Sequence, residues 1–438
     1  MATVTRNSSP PPTPPSRAPN DDEWRFNTIS SPCEWIEDYH PGGYHPVHLG
    51  DAFNDGRYKV IRKLGDGAYS TVWLARDLRN NIYVALKIMV SEISYSTREV
   101  QLLRYIAEHA PTEGIRYITQ LLDEFQHHGS NGIHKCLVFE AMDPTVNTMV
   151  EELPQFNPRK WGMKVRYPPR MAKSILKQSL QALAFLHGKG IAHGDFQPGN
   201  MLIALIDINS MPEEVFQQET RVISPPVERL DGKQDLWAPR YLCVAQSLMA
   251  FTPYAGDFRL KLSDMGGAYF FNDPPAKIIT PLGLRSPELV LTGAVDKFLD
   301  IWSFGCLVFE LITGQPLCCV PSTGFEDDDH LLALSALLGP LPDSLSQHWK
   351  TASLYFTSER ELFNCELGGV GDSGEPLMLP QNSLEEFFDE AAPEVSEEEA
   401  DKIKKLIRRV LQYEPTKRPS AAELLSGPWF CEEKGDLS

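Results

Sequence analysis

Cysteine is scarce in this chain: eight in 438 residues, with no C-x-x-C pair and only Cys318 and Cys319 adjacent. That excludes a disulfide scaffold and a zinc module and fits a reducing compartment. Long apolar runs are missing too. Stretches such as Met201 to Ile206 fall far short of the ~18 to 20 residues that span a bilayer, so no transmembrane helix and no membrane partner are expected. Basic residues are outnumbered, 41 against 59 acidic ones, and the net charge of −18 repels phosphate backbones. Direct nucleic-acid binding is therefore not expected, and basic partners are. The first residues lack the charged-then-apolar pattern of a secretory signal, so Asn7-Ser8-Ser9, formally a glycosylation sequon, should stay unmodified in a cytoplasmic or nuclear protein. No internal repeat is visible.

What is present is a globular composition, 42% hydrophobic and 23% charged, in a chain long enough for two or three domains or one large two-lobed unit. Residues 1–30, rich in Pro, Ser and Thr, are predicted to be a disordered tail in which Ser9-Pro10 and Thr13-Pro14 are inert. Residues 31–56 form an N-terminal extension. Alternating or continuous apolar residues predict strands over Tyr58 to Leu64, Thr71 to Asp77 and Tyr83 to Val90, then over Ile118 to Phe125 and Lys135 to Phe139. Helical spacing between them covers Ser96 to Ala107. A small mostly-β lobe over 57–142 results. The larger mostly-α part, 143–431, starts with a clear apolar stripe over Arg170 to His187 and has further helices at 296–313, 329–338, 401–411 and 420–425. Short strands at Met201 to Ile203 and Arg259 to Ser263 flank a polar insertion, about 207–257, read as a mobile excursion. The fold class is α+β.

Gly65 and Gly67 lie in LGDGAYSTV between the first two strands, where the missing Cβ lets backbone N–H groups approach phosphate oxygens. Ser70 stands where a third glycine would complete G-x-G-x-x-G. No G-x-x-x-x-G-K-[ST] occurs to suggest the alternative phosphate loop. Lys87 ends Val84-Ala85-Leu86-Lys87 on the third strand, and an ammonium there can neutralise phosphates if a helix carboxylate holds it; Glu99 is the candidate, with Glu92 and Glu108 as substitutes. After the long helix comes HGDFQPGN. Asp195 can accept or orient the proton of an attacking hydroxyl, and Asn200, five residues on, can reach a magnesium ion; His193 reads as structural. Asp264, in Ser263-Asp264-Met265-Gly266, is suited to bridging Mg²⁺ and phosphates. Ser286-Pro287-Glu288, Asp300 to Gly305, and Arg418 as a partner for Glu288 read as structural.

In this order the glycine loop, VALK, HGD with its Asn, DMG, SPE and DIWSFG resemble the eukaryotic protein kinase signature set over roughly 57–431. The stretch from Gly42-Gly43-Tyr44-His45-Pro46-Val47 through Arg57-Tyr58 to Ser70-Thr71-Val72-Trp73-Leu74-Ala75 looks like the SR-protein kinase family, and the insertion lies where that family carries a spacer. Arg285 resembles the activation-segment arginine of the wider kinase group. The resemblance implies a two-lobed fold and ATP- and Mg²⁺-dependent phosphorylation of serine; separately, a monomer is expected. It implies adenine between Val72 and Ala85 on one side and Leu202 on the other, Phe139 as gatekeeper, and the backbone of Glu140 and Met142 at the adenine edge. Family members favour Arg-Ser-rich proteins docked on an acidic groove, to which Glu326 to Asp329 is a candidate contributor; the acidic run Glu385 to Glu399 reads as a solvated face or linker.

Three departures stand out. Gly194 replaces the catalytic-loop arginine, so no cation is there to clasp a phosphorylated activation segment. Gln197 replaces a lysine that touches the transferring phosphate, which is expected to slow chemistry. Met265 replaces a phenylalanine, a milder change. The alternative readings are a pseudokinase acting as a binding scaffold and a small-molecule phosphotransferase, whose H-G-D pattern is similar.

Overall fold

The computed structural model describes residues 24–96, 98–109, 115–233, 235–253, 258–320, 324–356 and 382–431, which divide into two compact units. Ser9, Thr13 and the rest of the expected tail up to position 23 lie outside the described residues. From Trp24 onward the expectation fails: Phe26 is buried and bridges Arg229, while Arg25 pairs with Glu37 at 2.7 Å, so this stretch belongs to the fold.

The first unit takes the described residues of Met1–Ala110, Thr119–Pro144 and Leu202–Arg259. Its strands are β1 (Ala52–Phe53), β2 (Tyr58–Gly67), β3 (Ser70–Asp77), β4 (Ile82–Met89), β5 (Leu121–Gly129) and β6 (Gly132–Glu140), with helix α1 (Arg98–His109) between β4 and β5. They form one antiparallel sheet in the order β1-β2-β3-β4-β6-β5. Register sets Val72 opposite Lys87 and Leu74 opposite Ala85, so these four share a face, and Trp73, Ala75, Val84, Leu86 and Ile88 point the other way. That second face is covered by Val47 and Phe53 of the extension and Cys243 of the insertion. Burial on both faces explains why these strands read as nearly continuous apolar runs.

The segment expected to be a mobile excursion in the second lobe is instead packed onto this sheet. Ile208, Phe216 and Leu248 cover Ile61, Leu74 and Tyr83. The buried guanidinium of Arg62 donates to the carbonyls of Phe216, Gln217 and Ser247 at 2.9, 3.1 and 3.2 Å. Gln218 accepts from the Lys63 backbone N–H at 3.0 Å, and Gln246 N–H donates to the Lys63 carbonyl at 2.9 Å. The insertion forms short 3₁₀ turns and irregular chain. Its backbone polar groups are met partly within the insertion, where Ser224 and Val227 N–H donate to the Leu242 and Arg240 carbonyls and Val244 N–H to Val222, and partly by Arg62 and Lys63 of the strand, and no periodicity announces that arrangement.

The second unit contains α2 (Val146–Glu152), α3 (Pro169–Gly188), α4 (Pro287–Thr292), α5 (Phe298–Thr313), α6 (Glu326–Leu338), α7 (Leu384–Glu390), α8 (Glu397–Val410) and α9 (Ala421–Leu425). Helix α3 buries the predicted stripe of Ile175, Leu176, Leu180, Leu183 and Leu186, and packs against α5 and α9. Helix α5 is buried almost throughout, and a Cβ at its Gly305 would lie 2.6 Å from Leu411, so glycine is what lets the following chain approach. Capping boxes at Ser383/Glu386 and Ser420/Glu423 start α7 and α9. Much of the acidic run from Glu385 sits in the first turns of α7 and α8, where carboxylates complement the helix dipole. Glu288 and Arg418 form a buried two-bond pair at 2.6 and 2.7 Å, with the guanidinium 4.8 Å above the Trp302 ring.

Candidate active site

In the first unit the glycine loop is the turn between β2 and β3. A Cβ at Gly65 or Gly67 would meet nothing within 4 Å, so the backbone there is open to approach. Lys87 on β4 places its Nζ 3.0 Å from Glu99 Oε1 and 3.3 Å from Oε2, and Glu99 lies in the first turn of α1. Glu92 sits in a 3₁₀ turn and Glu108 is exposed near the end of α1. Val72 and Ala85 share the Lys87 face, with Phe139 opposite Ala85 across β4 and β6. Glu140 ends β6, Met142 is buried and Leu202 lies half-buried in the strand Met201–Ala204.

In the second unit the catalytic-loop residues are held by α5. Asp300 accepts from the backbone N–H of His193 at 2.8 Å and of Gly194 at 2.9 Å, and from His187 Nε2 at 2.9 Å. Burial works against its charge, but these donors and the two histidine rings outweigh it and hold the carboxyl below its usual range. His193 donates from Nε2 to the Ser263 carbonyl at 2.9 Å and accepts from the Asp195 N–H at 3.3 Å, a structural role.

Asp195 is a buried carboxylate held by two amides: Gln197 donates to Oδ1 and Asn200 to Oδ2, each at 2.8 Å. Burial raises its pKa and the two amides partly offset this, so the group is more basic than an ordinary aspartate. Ser263 N–H and hydroxyl both donate to the Asn200 carbonyl, at 2.8 and 2.9 Å, which brings Asp264 alongside. Asp264 is exposed, has φ 55°, and accepts from Gly266 N–H. The amide of Asn200 is committed to Asp195 through its nitrogen, which leaves an oxygen donor beside a carboxylate. An all-oxygen set of two suits a hard cation that also binds substrate phosphates, namely Mg²⁺. Among the described residues no group of three or more His, Cys, Asp or Glu could hold a metal alone.

Next to Asp195 lies a cavity of about 260 Å³ lined by Gln197, Gly199, Pro281, Leu284, Cys318 and the α5 carboxylate Glu310. Glu310 makes no hydrogen bond or ion pair through its side chain among the described residues, and burial pushes its pKa up. In the sequence it falls inside the helix expected at 296–313 and is given no role there; a charged residue between Phe309 and Leu311 was the available signal. The acidic first turn of α6 is less open than expected. Asp328 accepts from Trp349 Nε1, Thr351 and Tyr355, and Asp327 alone of Glu326 to Asp329 is exposed.

The protein kinase domain pattern matches residues 58–210 and 248–430, so the fold and site define an ATP-binding serine/threonine protein kinase. A solved crystal structure of a kinase domain covers 88% of this chain and 98% of its own, with a TM-score of 0.58 at 24% identity, and shows the same fold. Among curated relatives, the serine/threonine-protein kinase SRPK of Physarum polycephalum is 32% identical across 92% of both chains. The SRSF protein kinase 3 of Homo sapiens is 25% identical over 90% of this chain and 89% of its own. The chain belongs to the SR-protein kinase family. These relatives lend the pseudokinase and small-molecule readings no support.

Proposed function

We propose that this kinase transfers the γ-phosphoryl group of Mg²⁺-ATP to serine in basic, Arg-Ser-rich proteins. The observation that carries the substrate reading is Glu310, a carboxylate with no side-chain partner among the described residues, lining a cavity that shares Gln197 with the Asp195 site. A guanidinium is the group that pairs with such a half-buried carboxylate through two charge-assisted bonds. The overall charge of −18 favours the same substrates, and the similarity to the SRSF protein kinase 3 of Homo sapiens points to SR proteins.

In this reading Asp195, fixed by the amides of Gln197 and Asn200, receives the serine hydroxyl proton as the oxygen attacks. Glu99 orients Lys87, and Lys87 binds the α- and β-phosphates; Val72, Ala85 and Leu202 enclose adenine, whose edge meets the backbone of Glu140 and Met142. Asn200 and Asp264 would hold Mg²⁺, which when bound neutralises charge on the phosphates. The test uses purified protein, Mg²⁺-ATP and an Arg-Ser peptide. Phosphate incorporation is expected in wild type and its loss in Asp195→Asn; equal incorporation in both removes Asp195 from the reaction.

A further inference from the structure

Gly42-Gly43-Tyr44 carries part of the family resemblance but has no role in the reaction as described, and it precedes the matched domain, which begins at residue 58. The structure places it under the glycine loop. Gly42 N–H donates to the Asn131 carbonyl at 2.7 Å, and the carbonyls of Gly42 and Gly43 accept from the backbone of Glu92 and Ser91 at 2.8 and 3.1 Å. Asn131 returns a side-chain bond to the Tyr44 carbonyl. A Cβ at Gly43 would lie 2.0 Å from the Asp38 carbonyl oxygen, so only glycine permits this close turn. Tyr44 is thereby held at both sides. Its ring packs with Tyr39, 5.6 Å between centroids, in a cluster that includes Phe26, Ile36 and Val90.

From that cluster the Tyr44 hydroxyl donates to the carbonyl of Gly67 at 2.7 Å. Burial pushes the phenol pKa up, so the proton stays on oxygen. A second hold lies beside the first. Lys63 is fully buried and paired with Glu34 of the extension and, at 2.7 Å, with Asp66 of the loop. Burial opposes its charge, yet the two carboxylates keep its pKa above the ordinary lysine value. The other limb is fixed by Val90 N–H, which donates to the Tyr69 carbonyl at 2.9 Å. An exposed glycine hairpin of this length is ordinarily free to flap; here its tip is tied to buried residues on both limbs.

We propose that Tyr44 is a positioning residue for nucleotide: by holding Gly67 it keeps the glycine loop in one conformation before ATP arrives, so less ordering entropy is lost on binding. The inference rests on the reading of residues 65–70 as the loop that covers the phosphates. Tyr44→Phe removes the hydroxyl and keeps the ring in its cluster.

The measurement is calorimetric binding of Mg²⁺-ADP to the full chain, together with KM for ATP and for peptide. One neutral hydrogen bond corresponds to roughly a five-fold effect. Tyr44→Phe should raise the Kd for Mg²⁺-ADP and the KM for ATP by about that factor, with the peptide KM unchanged and the nucleotide-free melting temperature lowered by only about 1 to 2 °C. Asp66→Asn, which weakens the second hold, should move nucleotide affinity in the same direction. Tyr58→Phe is the comparator, because it deletes a hydroxyl that bonds Asp123 at 2.6 Å in the same sheet without touching the loop. Unchanged nucleotide affinity in Tyr44→Phe overturns the inference, as does an equal loss in Tyr58→Phe. A melting temperature lowered well beyond that, with Asp66→Asn silent, overturns it too. Wild-type protein that binds no Mg²⁺-ADP refutes the nucleotide reading itself and takes this inference with it.

Discussion

The side-chain amide of Gln197 donates to Asp195 Oδ1 across 2.8 Å, at a position where the family resemblance leads one to expect a lysine. A residue that reads in the sequence as a missing phosphate contact is, in the structure, a support for the carboxylate two positions before it. Burial raises the Asp195 pKa, and this amide is one of two that lower it.

Removing that amide therefore moves the acid limb of kcat/KM. Asp195 must be ionised to accept a proton, so Gln197→Ala should shift the limb to higher pH and Gln197→Lys to lower pH. A lysine should also raise kcat by roughly ten-fold, the value of one charge-assisted contact. Initial rates across pH 5 to 8 check both; superimposable profiles would show the amide to be idle.

Glu310 gives a specificity prediction. Glu310→Gln keeps the shape of the cavity and removes its charge, so KM for an Arg-rich peptide should rise about ten-fold while KM for a peptide with the arginines replaced by alanine stays put. A parallel change for both peptides would mean that the carboxylate serves the fold.

Two glycines with the same backbone sign separate strain from collision. Gly190 has φ 73° with nothing within 4 Å of a Cβ, and Gly194 has φ 72° with the Gly267 carbonyl oxygen at 2.3 Å. Gly190→Ala should cost about 1 to 2 kcal/mol. Gly194→Ala should cost distinctly more and reduce activity, measurable by urea unfolding and peptide phosphorylation.

The segment after Asp264 is tied down without a phosphate. Thr280 hydroxyl donates to the Gly194 carbonyl, Arg285 Nε donates to the Thr280 carbonyl at 2.8 Å, and His330 Nε2 donates to the Arg285 carbonyl at 2.8 Å. Phosphatase-treated protein should keep its full specific activity. A large drop would show that a modified side chain completes the segment.

The extension carries an acid sensitivity. His45 stacks edge-on with His127 at 4.5 Å and lies 4.9 Å from His134; burial, then the neighbouring histidines, push its pKa down to about 2 from 6.5. The folded state refuses a proton that the unfolded chain takes up, so this contribution to stability is complete above pH 6.5 and is lost as pH falls below it. Between pH 6.5 and 5 the loss is on the order of 2 kcal/mol. Melting temperatures over that range should fall for wild type and fall less for His45→Phe.

Much of this was legible in the amino acids. The strands around Lys87, the long helix before His193 and the buried character of Asp300 to Gly305 follow from apolar spacing, because each sits in a regular element with one dominant packing direction. Lys87 with Glu99 and Asp195 with Asn200 were readable from residue type and separation. Arg62 and Lys63 were not, since a buried guanidinium and a buried ammonium look in a sequence like two solvated charges; only the carbonyls and carboxylates brought from distant segments make them interior residues. Glu310 was hidden for the converse reason, a lone acid in apolar company. The insertion at about 207–257 misled because the order of its described residues comes from contacts with the sheet and from irregular pairing rather than from any repeat of their own.

That last arrangement bears on how the protein can be cut. Residues 211–247 fall outside the matched kinase pattern, and they look expendable on that basis. Excising them would strip Arg62 of all three of its acceptors, expose the outer surface over Trp73 and Leu86, and leave the first unit without part of its roof. A minimal fragment trimmed to the family boundaries should precipitate, and one that starts at Trp24 and retains the intervening chain should stay in solution.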